Sequence, residues 1–198
     1  MINRLAVIGV GLIGGSLSLA LKEAGKVKEV IGYARSESVR QEALELGVID
    51  RAADSIADAV NEADIIFLAV PMAAMGSVLE ELLPHVKADA IITDGGSAKG
   101  QLVDIARNIM GEQLGQFVPG HPIAGTEKSG PSAAFSTLYK DHRVVLTPID
   151  ETNSSAVETV TAMWQATGAD VYEMDVQHHD VVLAATSHLP HVLAFNLV

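Results

Sequence analysis

Six residues near the start of the chain, Gly9-Val10-Gly11-Leu12-Ile13-Gly14, have the types and spacing to receive a phosphorylated ligand. They follow an apolar run and open a segment with helical periodicity. In that setting Gly9 allows the tight turn, Gly11 lets the backbone approach a pyrophosphate, and Gly14 lets helix and strand pack closely. The N–H groups at the helix start then face the anion. Ligand-free glycine turns can show the same spacing. Here a second strand follows at the expected distance and ends in Gly32-Tyr33-Ala34-Arg35-Ser36. An Asp or Glu at that end would hold the ribose 2′-OH of NAD. The chain instead has Ala34, Arg35 and Ser36, and a guanidinium suits forked contacts with a 2′-phosphate. NADP is the expected cofactor. NAD is the alternative if Arg35 points to solvent and Glu37 is recruited instead. Val70-Pro71 ends a central apolar strand, and is expected against the nicotinamide-side ribose because ligands of open α/β sheets bind outside the carboxyl ends of strands.

Two further segments carry polar residues that a sheet alone does not need. One is Asp94-Gly95-Gly96-Ser97-Ala98-Lys99, directly after a strand. The other is the run Gly120-His121-Pro122-Ile123-Ala124-Gly125-Thr126-Glu127-Lys128-Ser129-Gly130. A lone loop histidine is more often structural than catalytic, but His121 follows a strand end where the cofactor is expected. The pairs His178-His179 and His188/His191 lack a third ligand at metal-binding spacing, so no metal site is expected. For His178 and His179 the expectation is solvent exposure or helix packing.

The elements that must position these residues alternate in type. Strands are expected at residues 5–8, 30–33, 64–70, 90–93, 117–118, 143–147 and 171–172. Helices are expected at residues 13–24, ending at Gly25, and from a Ser38/Gln41 capping box to Gly47. Others are expected at residues 72–83 and 101–110, and from a Ser155/Glu158 cap to Thr167. Residues 120–132 read as loop. This alternation is the pattern of βαβ units, hence a doubly wound, mostly parallel Rossmann-type α/β sheet. Residues 1–175 form the expected dinucleotide-binding domain. Residues 176–198 read as one helix, kinked at Pro190 and apolar nearly all round through Val181, Val182, Leu183, Leu189, Val192, Leu193, Phe195, Leu197 and Val198. Such a helix is normally buried, so it is expected to open a helical domain whose remaining helices follow Val198.

Taken in order, Gly11-Leu12-Ile13-Gly14-Gly15-Ser16, Asp94-Gly95-Gly96-Ser97-Ala98-Lys99, His121-Pro122-Ile123-Ala124-Gly125-Thr126-Glu127 and Ser187-His188-Leu189-Pro190-His191 make the chain resemble the prephenate/arogenate dehydrogenase family. The resemblance spans the whole chain, and the run from His121 to Glu127 is its most specific part. It implies oxidative decarboxylation of a cyclohexadienol, prephenate or arogenate, with hydride transfer to the nicotinamide, in tyrosine biosynthesis. It implies that His121 is the catalytic histidine and that Ser97 orients it and the substrate. Thr126 and Glu127 would be active-site loop residues, and His191 a substrate-pocket histidine. It also implies a homodimer built through the helical domain, and a carboxylate-binding arginine beyond Val198. The 198-residue chain is therefore expected to bind cofactor without turning over substrate. A neutral imidazole suits removal of the hydroxyl proton as hydride leaves, and the chemistry needs no metal.

Composition narrows the field. With 48% apolar and 19% charged residues, the sequence is that of a globular domain with a sizeable core. A net charge of −12 argues against nucleic-acid and anionic-membrane partners, leaving a small-molecule substrate. The absence of cysteine excludes disulfides, thiolate nucleophiles and cysteine-ligated metals. No secretory signal is visible, so a cytoplasmic location is the expectation. Two alternatives are another reductase of the same fold, of 3-hydroxyacid dehydrogenase or imine reductase type, and a non-catalytic NADP-binding module. The run from His121 to Glu127 argues against the first.

Overall fold

The structure, a computed structural model, describes residues 1–190. The chain begins with β1 (Ile2–Ile8), which runs into α1 (Leu12–Glu23) through the glycine turn. Gly25, at φ 62°, takes the left-handed conformation that ends α1 where expected. Then come β2 (Val27–Tyr33), α2 (Glu37–Glu45), β3 (Arg51–Ala52), α3 (Ile56–Val60) and β4 (Ile65–Leu68). Next are α4 (Met72–Leu82), β5 (Ile91–Asp94), α5 (Gly100–Ile109) and β6 (Phe117–Val118). The strands pair in parallel in the order β3-β2-β1-β4-β5-β6. Every residue of β4 is buried, as its unbroken Ile-Ile-Phe-Leu run requires of a strand covered on both faces.

Each face of the sheet has its own core. On one, Leu17 and Leu21 of α1 pack with Tyr139 and Trp164, whose ring meets Phe67 edge-on at 5.6 Å and Tyr139 at 5.0 Å. On the other lie Val60, Leu79, Leu82, Leu102 and Ala106 from α3, α4 and α5. This is the doubly wound arrangement. The strand order runs outward in opposite directions from β1 and β4, so the crevice expected of such folds lies at their carboxyl ends.

At Pro119 the chain leaves this sheet. β7 (Gly120–Pro122) pairs antiparallel with β8 (Arg143–Leu146), His121 opposite Val145. α6 (Ser154–Gln165) follows, and β9 (Asp170–Glu173) pairs parallel with β8. The first residues of the expected loop are thus a strand. Gly-His-Pro gives no alternating pattern to read, and Pro122 is tolerated because β7 is an edge. Two caps also differ from expectation. Arg40 N–H donates to Ser36 O and Val157 N–H to Asn153 O, so Ser36 and Asn153 are the N-caps. Ser38 and Ser155 already lie within their helices, and Gln41 donates to Glu45 at 2.9 Å instead of closing a capping box.

The last described element is α7 (Val176–Leu183), capped by Asp175, which accepts from the backbone N–H groups of Gln177 and His178. A π-helical turn follows at Ala184–His188, and helix continues to Pro190. The expected helix is present that far; residues 191–198 lie outside the described residues.

Candidate active site

The glycine turn divides into positions the fold needs and one it does not. Gly9 has φ 105°, and a Cβ there would stand 2.4 Å from the carbonyl oxygen of Ala69. A Cβ on Gly14 would meet Gly9 O at 2.1 Å and Val7 Cγ1 at 2.7 Å. Gly11 is different: nothing lies within 4 Å of where its Cβ would be. Its side faces open space at the start of α1, where Gly11 provides no side-chain cap. Beside it a cavity of about 340 Å³ is bounded by Gly9, Tyr33, Ala34, Arg35, Val70 and Pro71. These residues fit a dinucleotide: a helix N-terminus for the pyrophosphate, a largely apolar slot, and one cation, Arg35, on a wall that also carries Glu81. Of the remaining expected cofactor residues, Leu12 is buried, Ile13 accepts a hydrogen bond from Tyr139 Oη at 2.6 Å, and Ser36 is exposed. Burial pushes the Tyr139 hydroxyl pKa up, so it stays a neutral donor. Arg35 is exposed. Arg40, one helical turn on, donates to Ala34 O at 2.6 Å and lies over the Tyr33 ring. Reading the sequence missed Arg40, which folds back from α2 onto the carbonyls of Ala34 and Arg35.

The second half of the site starts from Asp94, the last residue of β5. Its carboxylate pairs with Lys99 Nζ, and both side chains are fully buried. Asp94 Oδ2 also accepts from Gly96 N–H at 2.7 Å, closing the loop that carries Ser97. Asp94 Oδ1 accepts from Gly120 N–H at 3.1 Å, while Lys99 Nζ donates to Gly120 O at 2.7 Å. The buried pair therefore holds both polar groups of Gly120, the residue before His121. Burial pushes the Lys99 ammonium pKa down, against the opposing pull of Asp94. The same loop touches the cofactor side. A Cβ on Gly95 would stand 3.2 Å from Ile13, and one on Gly96 2.5 Å from the sulfur of Met72, which follows Pro71.

His121 itself is buried, and its Nδ1 lies 2.9 Å from Nε2 of His179. The rings meet edge-on, centroids 5.1 Å apart. His179 is fully buried, and its Nδ1 is 2.8 Å from Asp180 Oδ1. Asp180 in turn accepts from the backbone N–H groups of Lys99 at 2.9 Å and Gly100 at 2.8 Å, fastening α7 to the start of α5. Burial pushes the His179 imidazole below its ordinary pKa, against the pull of Asp180. Burial works against the Asp180 carboxylate, yet the amides of Lys99 and Gly100, with His179, hold its pKa below the usual value.

Ser97 stands exposed on the loop between Asp94 and Lys99. Thr126 and Glu127 are exposed in the segment after β7, where Thr126 Oγ1 accepts from Lys128 N–H at 3.2 Å. His191 lies outside the described residues. Of the expected catalytic pair, His121 is thus enclosed and held, and Ser97 is open. His179 and Asp180 are the residues that reading the sequence missed. Of the expected alternatives for the histidine pair, exposure holds for His178, while His179 does more than pack. No local signal announces a partner 58 residues away.

Residues 17–173 match the family model for the nucleotide-binding domain of prephenate dehydrogenase. The chain belongs to the prephenate dehydrogenase family. Among curated relatives, it is 42% identical over 196 residues to a cyclohexadienyl dehydrogenase of Zymomonas mobilis, covering 99% of this chain and 66% of that one. It is 39% identical to a prephenate dehydrogenase of Bacillus subtilis, covering 100% of this chain and 53% of the relative. The chain thus spans about two thirds of one relative and half of the other. Among solved structures, it superposes with a TM-score of 0.93 at 36% identity on a prephenate dehydrogenase from A. aeolicus in complex with hydroxyphenyl propionate and NAD+, covering all of this chain and 68% of that one. An arogenate dehydrogenase of Synechocystis gives a TM-score of 0.86 at 32% identity, over 94% of this chain and 65% of that one.

Proposed function

We propose that this chain carries the cofactor-binding and proton-accepting half of a dehydrogenase that oxidatively decarboxylates a cyclohexadienol, prephenate or arogenate, in tyrosine biosynthesis. One observation carries this reading: the loop that fixes His121 packs against Ile13 of the dinucleotide turn and against Met72 beyond Pro71. An imidazole is thereby held beside the crevice where a nicotinamide would lie. A nicotinamide held in that crevice would supply the acceptor for hydride from the carbinol carbon. His121 takes the hydroxyl proton as the hydride leaves, so that a carbonyl forms without a free oxyanion. The substrate's ring carboxylate departs as carbon dioxide, its bonding pair passing through the ring to the new carbonyl oxygen, which takes the proton back from His121 to become the phenol; aromatisation drives the reaction. Ser97, Thr126, Glu127 and His191 are proposed to surround the substrate. The first three stand in segments flanking His121, open to an incoming ligand.

NADP is the proposed cofactor. Arg35 lies on the wall of the adenosine-side cavity, Arg40 beside it, and no carboxylate follows β2 before Glu37. The test is an assay of the protein in a form as long as its relatives, of which this chain spans 66% and 53%, with prephenate and arogenate in turn, each with NADP and NAD, following absorbance of the reduced nicotinamide. Turnover of either substrate, faster with NADP, is expected. Cofactor binding without turnover of either acid would replace the dehydrogenase reading with that of a binding module.

A further inference from the structure

We propose that His179 is a positioning residue that sets the tautomer of His121, leaving Nε2 of His121 as the nitrogen that receives the substrate proton. The inference deepens the proposed function and rests on His121 being the base. It begins with Asp180. Three donors converge on this carboxylate: the N–H groups of Lys99 and Gly100, and Nδ1 of His179. An ionised carboxylate is acceptor only, so Nδ1 of His179 must carry its hydrogen. The remaining nitrogen of His179, Nε2, lies 2.9 Å from Nδ1 of His121. If His179 is neutral, its Nε2 is a lone pair and Nδ1 of His121 must be the donor. A neutral His121 then has its own lone pair on Nε2.

Were His179 protonated, its Nε2–H would donate to Nδ1 of His121, and the base would be disarmed. Burial guards against this. Among the described residues, the groups facing the His179 ring are His121 on β7, Asp180 on its own helix, and the Asp94–Lys99 pair at the β5–α5 junction. Asp180 and Asp94 favour a cation there, while Lys99 and the loss of water disfavour it, and the balance lowers the His179 pKa. The relay gives a role to a fully buried imidazole beside an aspartate on α7, the helix that Asp180 fastens to the start of α5.

Imidazole nitrogen NMR on isotope-labelled protein, well above the ordinary imidazole pKa, reads the tautomer directly and without turnover. The His121 signals are assigned by their loss in His121→Asn. In the wild type, His121 is expected to carry its ring hydrogen on Nδ1 and a lone pair on Nε2; the opposite tautomer overturns the proposal. His179→Ala should release His121 to a mixture of tautomers. His179→Gln, whose carbonyl can accept from Nδ1 of His121, should retain the wild-type form. An unchanged His121 tautomer in His179→Ala would mean that the contact is packing alone. If His179→Ala does not fold, the wild type and His179→Gln still decide. In the turnover assay, His179→Ala should lower kcat about three- to tenfold with little change in KM, in proportion to the share of His121 that leaves the productive tautomer. His179→Gln should recover most of that loss. A shifted tautomer with kcat untouched would leave the assignment standing and strike instead at His121 as the base.

Discussion

At the scale of single residues, the two ends of the site make different demands. Arg40 is already engaged with Ala34 O, so Arg35 is the guanidinium at liberty to meet a 2′-phosphate. A charge-assisted contact of that kind is worth about 1.5–3 kcal/mol. Arg35→Ala should therefore weaken NADP binding by roughly ten- to a hundredfold and leave NAD binding nearly unchanged, as measured by calorimetric titration. Equal affinity of the wild type for both cofactors would remove the 2′-phosphate role from Arg35. At the other end, His121→Asn keeps a polar side chain on β7 but removes the base. Its kcat should fall about 10²–10⁴-fold with cofactor affinity intact. Full activity in that variant would mean that the proton leaves by another path.

At the scale of elements, the β5–α5 junction organises the active site. Lys99→Met leaves the Asp94 carboxylate buried with amide donors but no counter-charge. Breaking one partner of a buried pair costs on the order of 3–5 kcal/mol. The urea midpoint, followed by fluorescence of Trp164, should drop accordingly, and Asp94→Asn in the same chain should return part of it. A loss below about 1 kcal/mol would show that water reaches the pair. This junction also marks how far the sequence could be read. The parallel sheet was legible because β1, β4 and β5 are short apolar runs with helical periodicity between them. The glycine turn was legible because its spacing follows β1 and opens α1: Gly9 and Gly14 answer steric demands of the fold, while Gly11 leaves the helix start open to a ligand. Polar pairings between distant segments were not. Nothing at His179 in the sequence reports His121, and nothing at Lys99 reports Gly120; the sheet crossing at Pro119 creates both neighbourhoods. The caps at Ser36 and Asn153 were missed for a smaller reason. Several polar residues at each helix start can serve, and the backbone ladder chooses among them.

At the scale of the whole molecule, the acidic charge and the buried histidine give folding stability a definite dependence on pH. No helix among the described residues is long and apolar enough to cross a membrane, and the net charge is −12. His179 has a folded-state pKa below its ordinary 6.5. Between those two values the unfolded chain binds a proton that the native chain refuses, so stability rises with pH across that window. The contribution of a neutral His179 is complete above 6.5 and is lost as pH falls through it. For one proton the slope approaches about 1.4 kcal/mol per pH unit. A second loss comes lower. Asp64, which accepts from the backbone N–H groups of Asn3 and Arg4 and from Lys87, and Asp180 both have pKa values below 3.8. Their stabilisation is present above 3.8 and disappears as pH drops through the folded values. Urea unfolding at a series of pH values, read by Trp164, the single tryptophan, should show both steps. In His179→Gln the upper step should flatten while the lower one persists, because glutamine cannot take up the proton that drives the first. An upper step that survives unchanged in His179→Gln would assign it to another histidine and place His179 in an environment no less hospitable to charge than water.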